Sequence, residues 1–280
     1  MKSKKLLAML LAGAMSLSLL AGCGNSNATA DDGATDGGAT ATDSDLAYVK
    51  DNGKMVIGYT VYEPMNYTDA NGQFTGFDTE FAQAVCAKLD VEPEFVEINW
   101  DTKVIELDAK SIDCIWNGMT ITDDLTQNIA VSDPYVKNMQ VVVIKDSNKD
   151  TFTDTASLAG AKLVAESGSA GQQAVEADPD LSQASLTTVG KQTDALLEIE
   201  SGASDAAILD WTLAKSMIGE GTDFADLMMI DGAELSVEEY GIGFRKGSDL
   251  CTEVNKVMKE LVEDGTLPAL AEKYGLNLAE

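Results

Sequence analysis

The chain has 280 residues, of which 45% are hydrophobic, so it is long enough to build one large or two modest domains around a buried core. Its 47 acidic residues outnumber its 19 basic ones and give a formal net charge of −28, which argues against nucleic-acid binding because nothing here neutralises phosphates. The sequence contains no histidine, which excludes Ser-His-Asp and Cys-His catalysis and removes the commonest metal ligand. We therefore predict no metal, no cofactor and no catalytic residue.

The first 22 residues form a predicted targeting segment. A lysine-rich start precedes an apolar run over 6–21, which is too short and too asymmetrically charged to favour a membrane span. The run ends in Leu-Ala-Gly-Cys at 20–23, which resembles the lipobox of bacterial lipoproteins. This resemblance implies that residues 1–22 are a lipoprotein signal peptide and that Cys23 is lipidated. The alternative is an ordinary signal peptide or an uncleaved anchor.

Residues 23–45 are predicted to be the lipidated cysteine and a flexible linker. Positions 24–44 hold Gly, Ala, Thr, Ser, Asn and Asp without one large apolar side chain, so they cannot help to bury a core. Such a tether lets a folded domain move over a membrane while its lipid stays in place. The folded part is predicted to start near Leu46.

Strands and helices alternate along the rest of the chain, which predicts an α/β fold with mostly parallel sheets. The predicted strands lie at 55–59, 94–98, 112–116, 141–144, 162–165, 206–209, 227–230 and 240–244. Apolar residues recur at helical spacing in the predicted helices, which include 172–177, 193–200, 250–264 and one starting at the N-cap candidate Asp78. We interpret this alternation as two α/β units followed by a returning tail.

The stretch 113–135 is the most informative part of the chain. A short apolar strand is followed by the turn dipeptide Asn117-Gly118, and Ser132-Asp133-Pro134-Tyr135 interrupts regular structure before the next apolar run. In α/β folds, ligands bind beyond the carboxyl ends of strands, often between domains. We therefore predict a ligand site here.

Cys86, Cys114 and Cys251 lie far apart in apolar contexts, and none forms a CxxC pair. At most one disulfide could form from the three. We predict buried free thiols.

A family resemblance follows from five motifs that occur in order. They are Gly76-Phe77-Asp78, Gly118-Met119-Thr120-Ile121-Thr122, Ser132-Asp133-Pro134-Tyr135, Glu239-Tyr240-Gly241-Ile242 and Asp264-Gly265-Thr266-Leu267. At this spacing, residues 46–276 resemble the extracellular solute-binding proteins of polar amino acid ABC importers.

The resemblance implies a two-lobed periplasmic-binding-protein fold of the type II kind. Each lobe would be a mostly parallel sheet flanked by helices, and two strands would join the lobes as a hinge. Lobe 1 would comprise 46–135 and 240–280, and lobe 2 would comprise 136–239. Closure over one small solute would be a hinge motion stabilised by contacts from both lobes.

The same resemblance implies partners and a location. The solute would be an amino acid or a cationic amine, and the protein would deliver it to an ABC permease and its ATPase. The lipid anchor would hold the protein at the extracytoplasmic face of the cell membrane, in the periplasm if an outer membrane exists.

Ligand-binding residues can be carried over by position. In lobe 1 they are Tyr59 and Tyr62 in the first loop, the flanking aromatic Trp100, and Asn117, Gly118 and Thr120 around the turn. In lobe 2 they are Glu166, Ser167, Ser169 and Ala170 at the helix-entry loop, and Asp210, which matches the acid that receives an α-ammonium group.

Leu125 departs from the family pattern. Related proteins usually carry an arginine at this place, and its guanidinium group binds the ligand's α-carboxylate through two hydrogen bonds. The only arginine of this chain, Arg245, lies in a different strand. The group that usually binds the ligand's α-carboxylate is therefore missing.

Two ligand classes remain open on this basis. In the first, a cation without an essential carboxylate pairs with Asp210 and Glu166 beside the aromatic rings. In the second, an amino acid is bound, and its carboxylate is held by the backbone N–H groups around 167–171, by Thr120 and by a lysine such as Lys191.

Structural alternatives exist for these residues. The three aromatics could be core residues, Asp210 could cap the helix after it, and Glu166 could be a solvated edge charge. Two other functions are also compatible with the fold, namely a ligand-binding sensor and an enzyme that uses the Glu166 and Asp210 carboxylates.

Overall fold

The computed structural model describes residues 44–279. The predictions for the signal peptide, for Cys23 and for most of the linker lie outside the described residues. The described helices are α1 (Asp45–Asn52), α2 (Phe77–Leu89), α3 (Lys103–Asp108), α4 (Asp123–Asn128), α5 (Ala170–Ala177), α6 (Gln192–Ser201), α7 (Trp211–Met217), α8 (Asp249–Glu263) and α9 (Thr266–Tyr274).

The described strands confirm the predicted α/β pattern. They are β1 (Lys54–Tyr59), β2 (Tyr67–Thr68), β3 (Phe74–Thr75), β4 (Glu92–Glu97), β5 (Cys114–Thr120), β6 (Ala130–Val131), β7 (Val136–Lys145), β8 (Lys162–Glu166), β9 (Ser185–Val189), β10 (Ala206–Asp210), β11 (Leu227–Met229) and β12 (Ser236–Phe244).

Two groups of parallel strands make up the two lobes. The main sheet has the order β4-β1-β5-β12-β7-β10-β8-β9. Strands β4, β1 and β5 pair in parallel at one end, and strands β10, β8 and β9 pair in parallel at the other. The two-lobed α/β prediction is thereby confirmed, although the sheet as a whole is mixed, because β7 and β12 form antiparallel pairs with their neighbours.

Strands β7 and β12 run between the two groups. Residues 136–140 of β7 pair antiparallel with 236–240 of β12. Beyond this shared segment, β7 continues into pairing with β10, whereas β12 continues into pairing with β5. These two strands therefore form the two-strand connection that the resemblance implied.

Amphipathic helices cover the sheet as their apolar spacing predicts. In α8, Leu250, Val254, Val257 and Leu261 all face the core. A helix with one apolar face is stable chiefly because that face is buried against another element. The three cysteines in the described part of the chain are buried free thiols, as predicted.

The predicted turn at Asn117-Gly118 is wrong, because β5 continues through both residues to Thr120. Met119 pairs with Gly241 and Ile115 pairs with Gly243, so residues 116–118 lie opposite a single residue of β12. Gly118 absorbs the extra length with a φ of +55°, in the left-handed region that favours glycine. The sequence signal for a turn thus marks a bulge, a feature that often redirects side chains near a site.

Asp78 does not cap α2. The helix begins at Phe77 after Gly76, with no side-chain cap, and the Asp78 carboxylate is fully buried. Its Oδ2 atom accepts hydrogen bonds from the Gly118 N–H at 2.6 Å and from the Tyr135 hydroxyl at 3.0 Å. Asp78 therefore fixes the bulge in β5.

Arg245, the single arginine, holds helix α1 against the rest of the fold through an ion pair. Asp45, the last residue of the predicted linker, begins α1, and its Oδ1 lies 2.9 Å from Arg245 Nε. Arg245 Nη2 also lies 3.2 Å from Asp113 Oδ1. Between residues 44 and 279, no helix is both long and apolar enough to span a bilayer.

Candidate functional site

A cavity of about 230 Å³ lies where the carboxyl ends of β5, β8 and β10 approach the loop after β4. It brings together most of the predicted ligand-binding residues. These are Tyr62, Trp100, Asn117, Gly118, Thr120, Glu166, Ser169, Ala170 and Asp210. The cavity therefore lies beyond strand ends, where α/β folds bind small molecules.

Tyr59 and Ser167 do not line this cavity. The Tyr59 ring packs against Phe74, with centroids 4.8 Å apart, and against Phe95, so it belongs to an aromatic cluster beside β1 and β4. Ser167 follows Glu166, and its N–H donates to the Val189 carbonyl.

Asp210 is the best-anchored acid of the site. Its Oδ1 accepts from Asn138 Nδ2 at 2.5 Å and from Gln140 Nε2 at 2.7 Å, and its Oδ2 accepts from Gln192 Nε2. Although Asp210 occupies the N-cap position of α7, its side chain makes no capping bond. Burial, and then the nearby charge of Glu238, raise the pKa of Asp210 to about 8.

Glu238 forms a pair with Asp210 that the sequence does not reveal. Its Oε1 accepts from the same two amide nitrogens, Asn138 Nδ2 at 2.6 Å and Gln140 Nε2 at 2.7 Å. Thr120 Oγ1 also donates to this oxygen at 2.9 Å. Each amide thus gives one hydrogen to each carboxylate, which holds the two acids together at the crossing of β7 and β12.

Glu166 has the least satisfied carboxyl group of the cavity. The residue is only 3% exposed, and its Oε1 has no hydrogen-bond partner among the described residues. Burial, and then the Asp210 charge, raise the pKa of Glu166 to about 8, although Lys103 acts in the opposite direction. The interpretation of Glu166 as a solvated edge charge is therefore wrong.

Lys103 is a cavity residue that the sequence reasoning missed. Its Nζ donates to the Trp100 carbonyl at 3.1 Å and to the Gly168 carbonyl at 2.9 Å, and it lies 4.8 Å from the Trp100 ring centroid. Burial lowers the pKa of Lys103, against the raising effect of Glu166. A signal was available, because Lys103 follows the predicted pocket aromatic by three residues, one helical turn.

Asn117 connects two elements on the β5 side of the cavity. Its Oδ1 accepts from the Thr60 N–H and hydroxyl, and its Nδ2 donates to the Thr60 carbonyl at 2.8 Å and to Asn66 Oδ1 at 2.7 Å. Both amide hydrogens are therefore used. Asn117 positions the loop after β1 against β5.

Gly118 leaves room for two tyrosines. A Cβ atom at this position would lie 2.8 Å from the Tyr62 ring and 3.1 Å from the Tyr240 ring. The two tyrosine hydroxyls are hydrogen-bonded to each other at 2.5 Å. Only glycine combines the positive φ with this close approach.

Thr120, Ser169 and Ala170 line the cavity, but neither Arg245 nor Lys191 is available there to bind a carboxylate. Leu125 lines the cavity with an apolar side chain, and Arg245 is engaged with Asp45 and Asp113. Lys191 is paired with Glu97 and does not line the cavity. The departure at Leu125 is therefore not compensated by either of these cations.

Two lobes joined by crossing strands, with a polar cavity between them, define the class of two-lobed solute-binding proteins. The chain belongs to the bacterial extracellular solute-binding proteins, family 3, which its residues 55–277 match. The resemblance drawn from the sequence motifs is thereby confirmed.

Individual relatives support the same assignment. The chain is 29% identical to the L-cystine-binding protein TcyJ of Escherichia coli (strain K12), over 82% of this chain and 85% of TcyJ. It is 28% identical to the arginine-binding extracellular protein ArtP of Bacillus subtilis (strain 168), over 97% of this chain and 98% of ArtP. Among solved structures, a mutant of ArgBP from T. maritima superposes with a TM-score of 0.75 at 31% identity, covering 82% of this chain and 98% of that one.

Proposed function

We propose that this chain is the substrate-binding component of an ABC importer, which captures a small amino acid or amine-type solute between its lobes and delivers it to the membrane permease. One observation carries the proposal. Two buried carboxylates, Glu166 and Asp210, face the same cavity as the aromatic residues Tyr62 and Trp100. This is the chemistry that binds an ammonium group.

A positively charged solute would remove an energetic cost from the site. A buried carboxylate is costly unless it is paired or hydrogen-bonded, and Asp210 shares its Asn138 and Gln140 donors with a second carboxylate, Glu238. An ammonium group bound at Asp210 would pair this charge. Tyr62 and Trp100 would contribute ring surface to the same pocket.

We also propose the lobe boundaries given above, with 46–135 and 240–280 in lobe 1 and 136–239 in lobe 2. The contacts between these segments include one from Lys103 to the Gly168 carbonyl and one from Lys191 to Glu97. Gly168 also approaches Asp101, whose Cα would lie 2.9 Å from an added Cβ. Ligand contacts from both segments would stabilise this closed arrangement.

The membrane anchor is part of the same proposal. Lipidation of Cys23 would hold the protein at the extracytoplasmic face of the membrane, and the segment before Ser44 would serve as the tether. Cys23→Ser should release the protein into the soluble fraction, as measured by fractionation and immunoblotting. A variant that stays with the membrane would contradict the lipid anchor.

A thermal-shift panel tests the binding function. A ligand that binds only the folded state raises the apparent melting temperature, so amino acids, their decarboxylated amines and quaternary ammonium compounds can be compared directly. At least one should raise the melting temperature of the native protein and of the surface control Asp231→Asn. A product formed from the bound compound would instead identify an enzyme, and a panel without any binder would contradict the proposal.

A further inference from the structure

Resting on the proposed function, we propose that the preferred solute is a dication without a carboxylate, with one cationic group at Asp210 and the other at Glu166. A diamine or an amino-guanidine compound fits this description. The inference depends on three features of the cavity, namely an unpaired acid, anion-binding donors that are mostly occupied, and an excess of negative charge.

Glu166 is the first of these features. It lines the cavity with more than nine-tenths of its surface buried, and its Oε1 has no hydrogen-bond partner within residues 44–279. Buried polar atoms are nearly always paired, so an unpaired one in a cavity indicates a missing partner. A cationic N–H group supplies such a partner, whereas a carboxylate would be repelled.

The second feature is the occupancy of the donors that an amino acid would need. The N–H groups of Ser167 and Ser169 donate to the backbone carbonyls of Val189 and Glu166, and the N–H group of Gly168 donates to Gln172 Oε1. Thr120 Oγ1 donates to Glu238. Of the helix-entry loop only the N–H groups of Ala170 and Gly171 are left, at the start of α5.

Lys103 does not replace the missing arginine as a group that binds a ligand carboxylate. Two of its three ammonium hydrogens are directed to backbone carbonyls of Trp100 and Gly168. Its charge is also attracted by Glu166. A carboxylate at Lys103 would therefore have to approach Glu166, and the geometry favours Lys103 as part of the cavity wall.

The third feature is the balance of buried charge. Glu166, Asp210 and the adjoining Glu238 face one buried cation, Lys103, among the described residues at this site. When all four groups are ionised, two negative charges remain, and a dication neutralises both. An apolar spacer between the cationic groups matches the apolar wall of Val104, Met119 and Leu125.

Matched compound pairs test the inference by isothermal titration calorimetry at pH 7.5. Cadaverine is compared with lysine, agmatine with arginine, and cadaverine with pentylamine, which has a single ammonium group. We expect each dication to bind at least tenfold more tightly than its amino acid and than the monoamine. Equal or tighter binding of the amino acid or of pentylamine would overturn the inference.

Glu166→Gln gives the matching variant test. It should bind cadaverine and pentylamine within about threefold of each other, whereas the control Glu220→Gln, an exposed change of equal charge, should keep the tenfold preference. Preserved preference in Glu166→Gln would overturn the assignment of Glu166. The comparison of compounds on the native protein remains decisive even if that variant does not fold.

The outcomes separate the two proposals. Binding restricted to amino acids would leave the importer function standing and would overturn the dication. Binding of neither amines nor amino acids would contradict the proposed function itself.

Discussion

The two walls of the cavity differ in how fully their polar groups are satisfied. On the β5 side, Asn117 has both amide hydrogens engaged, and the Gly118 N–H is held by Asp78. On the β8 and β10 side, Glu166 keeps an unpaired oxygen and Asp210 shares its donors with Glu238. The Asn117 side chain and the Gly118 N–H, which line the first wall, already have partners, whereas Glu166 on the second wall gains a partner for its charge when a cation binds.

Asp210→Asn removes a carboxylate from the β8 and β10 side of the cavity, and we expect it to cause the largest loss of ligand affinity. Removing one partner of a buried ion pair costs about 3–5 kcal/mol, so affinity for a cationic ligand should fall by a factor of about 100 or more. Calorimetric titration with the strongest binder of the panel measures this loss. The exposed control Asp231→Asn should bind normally, and unchanged affinity in Asp210→Asn would refute the site assignment.

Gly118→Ala disturbs the packing on the β5 side of the cavity and should mainly lower the stability of the fold. An added Cβ would meet the Tyr62 ring at 2.8 Å in a backbone with a φ of +55°, so we expect a loss of about 2–4 kcal/mol in the free energy of unfolding. Gly72→Ala is the control, because Gly72 has a φ of +81° and open space around it. Urea denaturation should show a clearly smaller loss for Gly72→Ala, and equal losses would contradict a steric role for Gly118.

The pH dependence of the stability of the ligand-free protein is a further test of these buried acids. The pKa is raised to about 7 for Asp78 and to about 8 for Glu166 and Asp210, chiefly by burial. An acid whose pKa is higher in the folded state contributes stability that is fully present below the unfolded pKa of about 4 and is lost as pH rises through the folded value.

The melting temperature of the free protein should therefore fall between pH 5 and pH 8, by at least about 2–4 °C. Glu166 also faces Lys103 and Asp194, and Asp210 also faces Glu238 and Tyr240, so the titration belongs to the group as a whole. Glu166→Gln should flatten the curve. A melting temperature that rises steadily to pH 8 would contradict the raised pKa of these buried acids.

Leu125→Ala should change binding least. Leu125 is an apolar part of the wall and offers no hydrogen bond to a ligand, so affinity for a cationic amine should stay within about threefold of the native value. Leu125→Arg is the informative counterpart, because it adds the group that binds carboxylates in related proteins. It should shift the preference from cadaverine towards lysine, and a drop of tenfold or more in Leu125→Ala would show that Leu125 does more than line the wall.

Much of this architecture was predictable because it depends on local patterns. The apolar spacing of α8 and the short apolar run of β1 predict both elements correctly. The family resemblance selects Asp210 as a candidate site residue, and Asp210 lines the cavity. The Asn117-Gly118 dipeptide was wrongly predicted to be a turn, because a turn and a bulge can both require a glycine with positive φ.

Long-range partners were not predictable in the same way. Asn138, Gln140 and Glu238 read as ordinary polar residues, and only the crossing of β7 and β12 brings their side chains to Asp210. Lys103 was missed because its neighbours in sequence do not show that Gly168 approaches it from across the cavity. Asp78 resembled a helix cap until burial beneath Gly118 was known.

Proton release on binding tests the central claim most directly. Acids with a pKa of about 8 are largely protonated at pH 7, and a cation that pairs with them must displace protons. Titration of cadaverine at pH 7 in two buffers of different ionisation enthalpy should show release of about one proton or more per bound molecule. Tight binding without proton release would contradict the account of Glu166 and Asp210 as buried acids that are protonated in the free protein and pair with the cation in the complex.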